Sequence, residues 1–138
     1  MKRSGGGLAA YQTVATHGGV AAADPHKLIL MLMDGALERM ASGRSAIEVG
    51  STAERNRLLH RAISIVDELR GTLNLEKGGE MAANMSDLYT YICKQLLKAS
   101  IENRLDVLDE ASALLQQLRG AWVGVPAEAR SAHAAGAR

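Results

Sequence analysis

The sequence predicts an all-α protein, an antiparallel up-down-up-down four-helix bundle. Four separate segments repeat apolar residues at spacings of three and four, the period of one helix face. The chain has 3 Tyr, 1 Trp and no Phe, so its core must be built from Leu, Ile, Met, Val and Ala, which are materials of helices more than of strands. The breaks between segments are short, and short connections force consecutive helices to run antiparallel. At 138 residues, with 47% of them hydrophobic, the chain suits one core that buries roughly two-thirds of the unfolded surface.

The first helix is expected to open at Asp24 as N-cap, with Pro25 at the first helical position, where a missing N–H is harmless. Ile29, Leu32, Met33, Ala36, Leu37, Met40 and Ile47 line one side of it until Gly50. Ser51 followed by Glu54 reads as a capping box that starts the second helix, which carries Leu58, Leu59, Ala62, Val66, Leu69 and Leu73. Residues 74–79, with the pair Gly78-Gly79, read as the middle turn. The third helix follows with a core stripe of Met81, Met85, Leu88, Ile92, Leu96 and Ala99. After a turn at Glu102-Asn103, the fourth repeats Leu105, Leu108, Ala111, Leu115, Leu118 and Trp122 and is stopped by Gly124 and Pro126. This divides the chain into an N-terminal arm (1–23), the bundle (24–125) and a C-terminal tail (126–138) rich in Ala, Gly, Ser and Arg; both ends read as flexible.

Composition excludes several kinds of function. A net charge of +1 supplies no overall field toward nucleic acid or an anionic membrane. The single cysteine, Cys93, rules out an internal disulfide framework and suits a reducing compartment, where it serves as a small hydrophobe. No apolar run of signal-peptide length follows the first residues, and the longest uncharged apolar stretch, Leu28 to Met33, is far too short to span a bilayer, so a cytoplasmic location is expected. No Glu-x-x-His pair of the kind a bundle uses for a di-metal site is present, and His17, His26, His60 and His133 lie in separate segments. Neither a phosphate-binding Gly-rich loop nor a Gly-x-Ser-x-Gly nucleophile turn occurs. The expectation is a non-enzyme with no cofactor and no metal.

Two competing readings stand beside partner binding. A single exposed histidine on a four-helix bundle is the signature of phosphotransfer modules, and His60 is a candidate; however, Leu59-His60-Arg61-Ala62 is followed by Ile63 and Ser64, without the Lys and Gly such a histidine has one turn later. A structural homo-oligomer would also use up surplus apolar surface.

That surplus is the strongest functional feature. Ala82, Tyr89, Cys93 and Leu97 flank the core stripe of the third helix, and Ile63 lies beside Leu59 and Val66 on the second. These wide faces either fill the interior or line a groove for an amphipathic partner helix. Tyr89 and Tyr91 point in different directions, so one ring can pack inward and the other can lie at a rim. Tyr11-Gln12, carrying a single isolated aromatic upstream of the first helix, reads equally as a plug docking on the bundle or as part of a loose arm.

From Tyr11 to Trp122 the chain resembles the FliS family of flagellar secretion chaperones. The resemblance is carried, in order, by Tyr11-Gln12, Asp24-Pro25-His26-Lys27-Leu28, Leu32-Met33-Asp34-Gly35-Ala36, the Gly78-Gly79 turn, Leu88-Tyr89-Thr90-Tyr91 and Leu118-Arg119-Gly120-Ala121-Trp122. Met33 departs from the family's usual Tyr, and Ser100 stands where Asn is common. The resemblance implies a bundle that covers the C-terminal segment of flagellin in the bacterial cytosol, prevents premature polymerisation, and presents the subunit to the export apparatus. It further implies that the arm bearing Tyr11 and Gln12 folds onto the bundle and moves when flagellin arrives. Together the two lines of reasoning name Tyr11, Gln12, Leu59, Ile63, Val66, Tyr89, Cys93 and Leu97 as partner-binding residues; homodimerisation is left open. His26, Lys27, Asp34 and Gly35 read as structural residues of the first helix, with His26 a neighbour of the cap.

Overall fold

The computed structural model describes residues 24–125. They form four helices: α1 (Pro25–Val49), α2 (Thr52–Gly71), α3 (Leu75–Glu102) and α4 (Leu105–Val123). Each helix packs on its sequence neighbour, and α1 also packs on α4, which closes the antiparallel ring.

Asp24 caps α1 as expected, its carboxylate accepting from the backbone N–H of His26 (3.1 Å) and Lys27 (3.3 Å). Gly50 ends α1 in the left-handed conformation, φ 77°, with Gly50 N–H donating to the Ile47 carbonyl and Ser51 N–H to that of Ala46, the paired bonds of a Schellman stop. Asn103 (φ 57°) repeats the device between α3 and α4, where Arg104 N–H reaches the Ala99 carbonyl at 3.2 Å.

Three local expectations are corrected. Ser51 occupies the N-cap of α2 but its side chain makes no cap bond, and Glu54 turns to Arg57 (2.8 Å), because the Ser51 N–H it would accept is already held by the Ala46 carbonyl. Residues 74–79 are not all turn: Asn74 caps a first helical turn through Lys77 N–H (2.9 Å), and only Gly79 (φ 56°, ψ −132°) breaks the backbone before α3 continues. The core stripe of α3 is Ala82, Met85, Tyr89, Ile92, Leu96 and Ala99, while Met81 and Leu88 are exposed. Alternating steps of three and four keep a side chain on the seam of a left-handed bundle, and that rule places Tyr89 inside and Leu88 at the edge.

One core runs the length of the bundle. Leu32, Met33, Ala36 and Met40 of α1 meet Leu59, Ala62, Val66 and Leu69 of α2, Tyr89, Ile92 and Leu96 of α3, and Leu108, Ala111 and Leu115 of α4. Met33 therefore fills interior space. Ser100 is also buried, and its hydroxyl donates to Asn56 Oδ1 (2.9 Å), while Arg55 reaches Asn103 Oδ1 (2.8 Å), tying the start of α2 to the end of α3.

His26 keeps its expected place beside the cap and gains a long-range partner as well. It is buried, stacks on Trp122 with ring centroids 4.9 Å apart, and donates from Nε2 to the Trp122 carbonyl (2.6 Å). The Trp122 indole N–H donates in return to the His26 carbonyl (3.2 Å). This clasp closes the ring between the start of α1 and the end of α4. On the same seam Asp34 pairs with Arg119, and Arg44 with Asp109 at 2.8 Å. The Arg44–Asp109 pair is exposed and the Asp34–Arg119 pair half-buried, and with water still reaching both they contribute little beside the clasp.

Close approach of α1 to α2 depends on Gly43, where an added Cβ would lie 2.6 Å from Leu59 Cδ2. Ala there gains about 1 kcal/mol of helix propensity but crowds a sealed core at about 1–3 kcal/mol. Crowding wins, and Gly43→Ala lowers stability. Gly120, with open space around its Cβ direction, behaves oppositely: Gly120→Ala raises stability by about 0.5–1 kcal/mol. Urea unfolding of both variants checks the pair; stabilisation by Gly43→Ala would show that Leu59 has room to move.

Candidate functional site

An open furrow of about 420 Å³ lies between α2 and α3. Its apolar floor is Ile63, Cys93 and Leu97, and His60, Ser64 and Lys94 complete its lining. The helical period explains the grouping: residues 60, 63 and 64 share one face of α2, and 93, 94 and 97 share the facing side of α3. Leu97 is 45% exposed although it is a large apolar side chain, while Ile63 and Cys93 are half-buried against the core.

Cys93 forms part of the frame. Its Sγ donates to the Ile63 carbonyl across the furrow (3.7 Å), joining the two walls. Burial pushes its thiol up to about 11, with Asp67 raising it further and Arg70 opposing, so it is not a thiolate nucleophile at neutral pH.

Of the residues expected to bind a partner, Ile63, Cys93 and Leu97 are brought together here. Leu59, Val66 and Tyr89 are instead sealed in the core, each 0% exposed, so a partner seated on the closed bundle does not reach them. The physical reason is the seam rule again: Leu59 and Val66 are seven residues apart on α2, and Tyr89 is the inward member of its pair on α3. Burial drives the Tyr89 hydroxyl pKa up. Tyr91 takes the rim position, donating its hydroxyl to Glu110 at 2.9 Å, on the α4 side of α3. Tyr11 and Gln12 lie outside the described residues.

The polar lining residues His60, Ser64 and Lys94 are not among the partner contacts expected from the sequence. Their signal was available, since His60 precedes Ile63 by three positions and Lys94 precedes Leu97 by three. His60 sits on the furrow edge, and His26 is at the clasp, separated from it in the fold. Among the described residues no three His, Cys, Asp or Glu side chains are grouped to hold a metal ion, and no helix is long and apolar enough to cross a membrane.

A closed helical ring with an apolar furrow on one flank defines a four-helix bundle with apolar surface left uncovered between α2 and α3. Comparison with known proteins makes the class specific. The family model described as Flagellar protein FliS matches residues 7–129. The Flagellar secretion chaperone FliSB of Pseudomonas aeruginosa is 42% identical over 115 residues, covering 83% of this chain and 91% of that protein. The Flagellar secretion chaperone FliS of Salmonella typhimurium is 38% identical over 117 residues, 84% of this chain and 87% of its own, and that of Vibrio cholerae is 34% identical over 123 residues, 89% and 90%. The chain belongs to the FliS family. It is a flagellar export chaperone and not an enzyme, and neither the phosphotransfer nor the homo-oligomer reading is supported by these relatives.

Proposed function

We propose that this chaperone binds the C-terminal helix-forming segment of flagellin in the bacterial cytosol, with the α2–α3 furrow as a principal contact, and that it holds the subunit unpolymerised until the export apparatus receives it. The observation that carries the reading is the furrow itself: Ile63, Cys93 and Leu97 offer apolar surface on two rigid, antiparallel helices. A flagellin segment that becomes helical only in the filament has an apolar face uncovered beforehand. Laying that face into a preformed groove covers it through anchors at helical spacing. The chaperone side loses little conformational entropy, because its walls are already fixed by the core and by the Cys93 bond to Ile63.

Size-exclusion chromatography of the purified chain mixed with monomeric flagellin tests this. A stable complex should form, and removing the flagellin C-terminal segment should abolish it. A complex that survives the truncation would place recognition on another part of flagellin.

A further inference from the structure

Charge around the furrow is lopsided. Lys94 lines it, and Lys98 stands one turn further along the same edge of α3. Both are exposed, and neither has an ion pair or side-chain hydrogen bond among the described residues, in a chain whose arginines are largely paired. Carboxylates near the walls are spoken for: Asp67 is bonded to Arg70 at 2.5 Å, Glu54 to Arg57 at 2.8 Å, and Glu102, one turn past Lys98, to Arg104 at 3.4 Å. Glu68, one turn past Ser64, is buried. Asp87 lies two turns before Lys94 on α3, about 10 Å along the axis, which is a full Debye length at ordinary salt. The net charge of the chain is only +1, so this excess is local and not part of a general field.

We infer that the furrow selects an amphipathic helix whose apolar anchors are flanked by Asp or Glu, with Lys94 and Lys98 as the cations that meet those carboxylates. The inference rests on the flagellin reading above and specifies the chemistry of the bound segment. Apolar contact on Ile63 and Leu97 supplies attraction without direction, since a helix can lie in a smooth trough in either sense or slide by a turn. Two cations on one wall remove that degeneracy, because only one orientation and register places acidic side chains against them while the apolar face stays down. Being exposed, such rim charges act mainly on the association rate and on salt dependence.

The test uses the full chain, a fluorescently labelled peptide of the flagellin C-terminal segment, and three variants: Lys94→Glu/Lys98→Glu, Leu97→Glu, and the peptide with its Asp and Glu changed to Asn and Gln. At about 50 mM NaCl the double lysine reversal should weaken binding roughly tenfold, chiefly through a slower association rate, and the gap should close toward about 0.5 M NaCl. The neutralised peptide should show the same loss with the unmodified chain. Loss of binding in Leu97→Glu, with the lysine reversal and the neutralised peptide both behaving as the unmodified pair, would overturn the charge rule and leave the flagellin reading standing. Failure of the unmodified chain to bind the unmodified peptide would overturn both.

Discussion

Replacing Trp122 by Ala lowers the free energy of unfolding by about 3–5 kcal/mol, the range for deleting a large buried aromatic side chain. Trp122 is only 2% exposed and lies near the end of α4, where an ordinary helix frays. It does more there than fill volume. Its indole N–H and its carbonyl both bond to His26, and its ring carries the His26 stack, so the alanine variant also leaves a buried carbonyl without its indole donor at residue 26. The loss therefore reaches the start of α1, and hydrogen exchange should accelerate at both ends of the clasp. Circular dichroism melts in urea check the magnitude. Because Trp122 is the chain's single tryptophan, its native emission should be blue-shifted; emission at a water-exposed wavelength would contradict the burial.

A glutamate placed at a core position of α2 and at a furrow position of α3 should have two different outcomes. Val66→Glu puts a carboxylate at a fully buried site ringed by apolar side chains, at several kcal/mol, which is enough to unfold a domain of ordinary stability. Leu97→Glu, at a site 45% exposed, lets the charge reach water, so the helical circular dichroism and the melting temperature stay close to those of the unmodified chain. Its effect falls on the partner: an apolar anchor facing Leu97 would have to desolvate a carboxylate, and binding of the flagellin C-terminal peptide should weaken by at least roughly tenfold. Unfolding of Leu97→Glu would mean that the furrow floor belongs to the interior.

Much of this architecture was legible in local chemistry. Asp24-Pro25 and Gly50 mark their helix ends by backbone rules that need no tertiary partner, and the four apolar repeats are long enough to show their period. What escaped was decided by competition between partners. Ser51 and Glu54 have the spacing of a capping box, but the Ser51 N–H is taken by the Ala46 carbonyl that ends α1, and Glu54 is left to Arg57. Leu88 and Tyr89 both suit an inward position, and the choice between them is made by the seam of the whole bundle. The furrow was half legible for that reason: Ile63, Cys93 and Leu97 were recognisable as surplus, while Leu59, Val66 and Tyr89 could be told from them only once the core was known. The sequence places His26 only beside the helix cap, because its other partner is 96 positions away and no local pattern announces a contact of that range.

Calorimetric titration of the purified chain with the flagellin C-terminal peptide reads directly whether the α2–α3 furrow takes that segment. Binding should be saturable, with a negative heat-capacity change from apolar burial, and strongly reduced in Leu97→Glu while that variant remains folded. Absence of binding, or binding undiminished in folded Leu97→Glu, would contradict the assignment of the α2–α3 furrow as the flagellin contact.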